Sequence, residues 1–205
     1  MYSNKIATEQ LNSSSKYLAT GIHDNVLLQS IRIDKSPAGN QFIEFTFGKD
    51  GAIVTHTEWE PSKFNGMTDA DLQVKQNNLY NRVKQIMRCY CSEDVFDNFE
   101  CNTFNEFITF VKSTLDAAAP TPVRLKVVYN DKGYTTLPTY SKYKFIEPMN
   151  VEKSELKREA IDKFERPIVA DKETTKDPLA VADSGKENVM VGSEKNSDPS
   201  TVLPF

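Results

Sequence analysis

The chain has 205 residues, a net charge of −4, 39% hydrophobic residues and 26% charged ones, enough for one domain of ordinary size and too little for two large ones. No stretch reaches the ~18–20 apolar residues of a membrane span and MYSNKIATEQ lacks the apolar run of a signal peptide, so no membrane partner and a cytosolic location are expected. Three cysteines, an odd number, argue against a disulfide framework, and the acidic balance argues against a globally basic nucleic-acid binder.

These averages hide a division at residue 150. Residues 151–205 hold 12 acidic and 9 basic residues and only two aromatics, Phe164 and Phe205, while the first 150 residues keep 19 of the 21 aromatics. The first part can build a core; the second, by composition, mostly cannot. Residues 1–20, polar and rich in Ser and Asn, read as a flexible arm. Strand-length segments follow at HDNVLLQSIRID (23–34), QFIEFTFG (41–48) and AIVTHTEWE (52–60), joined by turn signals at Ser36-Pro37-Ala38-Gly39-Asn40 and Lys49-Asp50-Gly51. In the second of these, Ile43, Phe45 and Phe47 fall on one side and Phe42, Glu44 and Thr46 on the other.

Helical spacing takes over at 69–90, where Leu72, Leu79, Val83, Ile86, Met87 and Tyr90 share a face behind a Thr68/Asp71 capping box. A second helix starts the same way at Thr103/Glu106 and carries Phe104, Phe107, Ile108, Val111 and Leu115. Strands return at PVRLKVVYND (122–131) and, after the Asn130-Asp131-Lys132-Gly133 hairpin signal, at 133–148. The expected fold is therefore mainly β with a helical insertion: a five-stranded Greek-key barrel of the OB type over 21–150, its helices between strands three and four. Residues 152–166 can form one more helix, with Leu156, Ala160 and Phe164 four apart. Residues 167–205 read as a disordered charged tail.

Nothing in the chain has the signature of an enzyme. Phosphate-binding loops, nucleophile elbows and HExxH are absent, the acids are dispersed, and His23 and His56 read as turn and strand residues. Cys89, Cys91 and Cys101 read as free thiols, because C-x-C on a helix points its side chains about 200° apart; no metal or other cofactor is expected.

The informative residues are basic and aromatic. Between 121 and 146 stand Arg124, Lys126, Lys132, Lys142 and Lys144 against Asp131 alone. Arg124 and Lys126 alternate with Leu125 and Val127, which places the cations on a solvent face. Tyr140 and Tyr143 interleave with Lys142 and Lys144. Cations that track phosphates beside flat rings that stack on unpaired bases suit single-stranded nucleic acid. Phe42 and Trp59 are further stacking candidates, flanked by Lys49 and Lys63. At the end of the chain, Leu203, Pro204 and Phe205 form an apolar tip suited to a partner's pocket.

An OB-type domain, a charged tail and a terminal Leu-Pro-Phe together resemble the single-stranded DNA-binding proteins of bacteria and bacteriophages, most closely a divergent phage member. The resemblance implies a non-catalytic protein that coats single-stranded DNA without sequence specificity during replication, recombination or repair. It also implies that Leu203, Pro204 and Phe205 recruit replication and recombination proteins, although one acid, Asp198, stands where the family has a run. A phage-encoded protein would act in the bacterial cytoplasm, and a homo-oligomer is left open. The alternative is an OB-like protein-interaction or virion-associated protein that binds no DNA.

Overall fold

The computed structural model describes residues 16–97 and 99–167. The tip Leu203-Pro204-Phe205, the tail from residue 168 and the first 15 residues of the expected arm lie outside these. The fold is mainly β: an antiparallel sheet of six strands with three helices inserted between its third and fourth strands. No helix among the described residues is long and apolar enough to cross a membrane.

Strands β1 (Gly21–Lys35), β2 (Gln41–Lys49) and β3 (Ala52–Trp59) form the expected meander. Lys49 pairs with Ala52 across a two-residue turn in which both Asp50 (φ 51°) and Gly51 (φ 83°) are left-handed, the geometry that Asp-Gly is best suited to supply. β1 serves two partners. Its first part, Gly21–Val26, pairs with β4 (Val123–Tyr129), and Leu27–Lys35 pairs with β2. The register slips between His23 and Val26, where Asn25 adopts φ 57°. Asn tolerates that region better than most residues, and the bulge bends the strand from one partner to the other.

Helix α1 (Asp69–Met87) begins at the expected capping box: Thr68 Oγ1 accepts from Asp71 N at 3.2 Å, and the Asp71 carboxylate accepts from Thr68 N at 3.0 Å. A short helix α2 (Glu93–Asp97) precedes α3 (Phe104–Ala117), which is capped by Thr103. The core fills the space between these helices and the sheet. Phe45 and Phe47 of β2, Val83 and Ile86 of α1, Ile108 and Val111 of α3, and Leu125 and Val127 of β4 are all fully buried. Burying each such side chain contributes about 1.5–3 kcal/mol.

On the other edge of β4 run β5 (Thr135–Thr136) and β6 (Ile146–Pro148), two pieces of one interrupted strand. The strand order is β3-β2-β1-β4-β5. Thr136 Oγ1 donates to the Thr55 carbonyl at 3.2 Å, so β5 touches β3.

Two expectations are corrected. The arm does not stay loose up to residue 20: Leu18 N donates to the Ile53 carbonyl (2.7 Å), Ile53 N donates to Lys16 (3.1 Å), and Leu18 is buried. Residues 152–166 form no helix. They run as a strap across β4, with Tyr129 N donating to the Lys163 carbonyl (2.8 Å), Thr20 Oγ1 donating to Phe164 (2.9 Å) and Leu156 buried. Bonds to the sheet replace those a lone solvated helix would have made within itself.

Candidate nucleic-acid interface

The interruption between β5 and β6 builds the site. Residues 137–145 leave the edge of β4, and α1 satisfies their backbone through a polar stripe at helical spacing. Arg82 Nη1 donates to the Thr139 carbonyl at 2.8 Å. Asn78 Oδ1 accepts from Ser141 Oγ at 2.7 Å. Gln85 donates to the carbonyls of Ser141 (3.3 Å) and Tyr143 (3.4 Å) and accepts from Phe145 N (3.3 Å). Leu137 and Phe145 anchor the two ends of the excursion in the core. Between them the loop presents Lys142, Tyr143 and Lys144.

These three residues form one wall of an open cleft of about 550 Å³, and the strap supplies the other with Lys153, Ser154, Glu155, Lys157 and Glu159. Four lysines thus face two glutamates within an acidic chain. Lys144 pairs with Glu155. Lys142, Lys153 and Lys157 are exposed and have no carboxylate partner among the described residues. Lys142 Nζ lies 5.2 Å from the centre of the half-buried Tyr143 ring, and Tyr143 meets Tyr140 edge to face with centroids 5.5 Å apart. Free ammonium groups around a ring held on a braced loop can bind a polyanion and one of its aromatic groups together.

Arg82, which holds the loop, is itself fixed from β3. Its Nε and Nη2 make a bidentate pair with Glu58 at 2.6 and 2.7 Å, and His56 Nε2 meets the same carboxylate at 2.8 Å. Burial by itself raises the Glu58 pKa, but the hydrogen bonds and charges of Arg82 and His56 outweigh it and bring the carboxyl down to about 2.

Trp59 and Phe42 lie away from the cleft, at one end of the outer face of β2 and β3. Trp59 is 47% exposed. Phe42 is buried although it points outward, because Trp59 (centroids 4.7 Å apart) and the Arg32 guanidinium (4.9 Å) cover it. It has no free face for a base. Lys63 pairs with Asp69 at 2.8 Å, whereas Lys49, at the end of β2, and Lys132, in a turn, have no carboxylate partner among the described residues.

The expected solvent face of β4 is corrected. Lys126 is completely buried: the strap lies over it, and its Nζ donates to Asp162 Oδ2 and Tyr140 Oη, both at 2.9 Å. Tyr140 Oη in turn donates to Asp162 Oδ1 at 2.6 Å. Burial, and then the Asp162 carboxylate, push the Tyr140 phenol upward. Arg124 is held by Asp24 (2.5 Å) and the buried Glu147 (2.6 Å). Lys126, Arg124 and Tyr140 are thus engaged by the protein's own acids, and the unpaired cations that gather in one cleft lie on the loop and the strap.

Cys89 is buried with its thiol pushed up to about 12 by that burial, Cys91 donates to the Met87 carbonyl at 3.1 Å, and Cys101 is exposed. They join no group of metal-ligating side chains among the described residues. No protein-family model matches the chain, and no curated protein matches it.

Sequence reasoning passed over Lys153 and Lys157 because it placed them on a solvated helix. It also passed over the stripe of Asn78, Arg82 and Gln85. That spacing was visible as a polar face, but its partner loop lies roughly 60 residues away in the chain.

Proposed function

We propose that this chain is a non-catalytic single-stranded nucleic-acid-binding protein, with DNA as the ligand implied by the sequence resemblance. The observation that supports it best is the lysine cleft: three unpaired lysines and a fourth paired only at the surface, gathered around Tyr143 in a protein of net charge −4. Such a cleft binds phosphates irrespective of base order, and an aromatic ring adds stacking on any base. The strand order β3-β2-β1-β4-β5, with Thr136 bonded to β3, is the order of a five-stranded OB barrel and supports that reading of the fold. Recruitment of replication and recombination proteins through Leu203, Pro204 and Phe205 belongs to the same proposal.

A second reading, a protein-interaction module, is favoured by a groove of about 750 Å³ between α1 and the start of α3, where Tyr80, Phe99 and Phe104 meet Glu60 and Glu100 and no cation lines the wall. Fluorescence anisotropy of labelled oligo(dT) separates the two readings. The nucleic-acid reading expects binding at low salt that weakens steeply as salt rises and changes little with base composition. Absence of binding at low salt by folded protein overturns it and leaves the second reading.

A further inference from the structure

A second cavity, of about 400 Å³, opens beside the end of β3, between the loop that follows Trp59 and the middle of α1. Two aromatic rings line it with large exposed areas: Trp59 at 47% and Phe64 at 63%. Leaving rings of this size in water forgoes burial, so a pair of them at one cavity marks a surface built for contact. Phe42 packs behind Trp59, and the Lys75 ammonium sits 4.4 Å from the centre of the Phe64 ring. Lys75 makes no close ion pair among the described residues, and the nearest acid influence on it is the charge of Asp71, one helical turn before it. Asn78 and Ser62 add an amide and a hydroxyl to the wall, and Glu60 adds an acceptor.

We propose that this cavity is a nucleotide subsite, in which a nucleobase stacks on the exposed rings of Trp59 and Phe64 while Lys75 meets its phosphate. Flat rings recognise the π-face of any base, and an exposed lysine held by no close ion pair is available to an oxyanion. The subsite is linked to the loop of the lysine cleft through α1. Asn78 and Arg82 line the cavity and hold Ser141 and Thr139, and Gln85, two turns beyond Asn78, holds Tyr143 of the cleft. The inserted helix thus lines the stacking site and braces the loop of the phosphate site. This inference rests on the nucleic-acid reading for its biological ligand, but the cavity has its own probe.

Trp59 is the only tryptophan, so its emission reports this cavity, whereas the anisotropy of end-labelled oligo(dT) reports binding anywhere. The two are followed in the full-length protein and in Phe64→Ala and Lys75→Gln, with circular dichroism as the check on folding; both side chains are exposed. The proposal expects oligo(dT) and free dTMP each to quench Trp59 saturably. Phe64→Ala should then weaken oligo(dT) about tenfold, and Lys75→Gln should lower the salt slope by about 0.7. If oligo(dT) binds with equal affinity to the parent and to Phe64→Ala and leaves Trp59 emission unchanged, the subsite is overturned and the lysine cleft stands alone; a surface reserved for a protein partner gives this same result. If dTMP quenches Trp59 but oligo(dT) does not bind, the subsite is supported and the single-strand reading falls. If neither ligand binds, both fall.

Discussion

The lysine cleft predicts how binding responds to salt. Each phosphate neutralised on a single strand contributes about −0.7 to the slope of log K against log salt. Lys142, Lys144, Lys153 and Lys157 line the cleft, so the cleft alone gives a slope near −2.8, or about fiftyfold weaker binding between 50 and 200 mM salt. The triple variant Lys142→Gln/Lys153→Gln/Lys157→Gln keeps only Lys144, which Glu155 already engages. Its contribution falls to about −0.7, a loss of about threefold over the same range. All three lysines are exposed, and exposed substitutions of this kind usually change stability by less than about 0.5 kcal/mol. The assay is anisotropy of labelled oligo(dT) at four or five salt concentrations for parent and variant. A parent slope shallower than −1, or a triple variant whose slope equals the parent's, refutes the cleft as the phosphate site.

Substitutions at three positions test the supports of the site. Glu155→Gln frees Lys144 and removes a repelling carboxylate, so affinity for oligo(dT) at 50 mM salt should rise a few-fold by the same anisotropy assay. Glu58→Gln leaves the Arg82 guanidinium in a buried setting without its counter-charge; urea denaturation at pH 7 should show a loss of about 3–5 kcal/mol, and hydrogen exchange at 139–145 should quicken. The Glu58 carboxyl is depressed from 4.5 to about 2, so its stabilisation is fully present above pH 4.5 and is lost as pH falls toward 2. The parent should shed about 3 kcal/mol over that window, and Glu58→Gln should lack this component. Asp162→Asn strands the buried Lys126 ammonium and should cost several kcal/mol, most of which Lys126→Met/Asp162→Asn restores in a double-mutant cycle.

The parts of the fold that rest on local chemistry were readable in the sequence. Alternation in 41–48 set Ile43, Phe45 and Phe47 inward, the Asp50-Gly51 turn closed its hairpin, and Thr68 and Thr103 marked the helix starts. What failed depended on distant segments. Alternation does place Lys126 on the outer side of β4, but only the strap's return, 36 residues later, turns that side into an interior. The same strap misled by its own periodicity. Leu156, Ala160 and Phe164 have helical spacing, yet Leu156 is buried within a non-helical strap and Phe164 lies under the Arg158 guanidinium at 4.7 Å. Tertiary hydrogen bonds outweighed a weak local preference. Of the expected site residues, Lys142, Tyr143 and Lys144 meet in one cleft because they are neighbours in the chain. Phe64, Lys75, Lys153 and Lys157 join the two cavities only through folding.

The bulge at Asn25 has a consequence for synthesis of the chain. The part of β1 beyond Leu27 finds β2 at once, but the part before Asn25 pairs with β4, where Arg124 waits 100 residues downstream of its partner Asp24. Thr20 is further still from its partner, with 144 residues separating it from Phe164. A ribosome adding about 5–20 residues per second leaves that half-strand an open edge for many seconds. Contacts so distant in sequence also slow refolding of the finished chain, because their loop entropy is spent before they form. The same bend that lets one strand serve two partners therefore leaves Gly21–Val26 open to wrong pairing while the protein is being made.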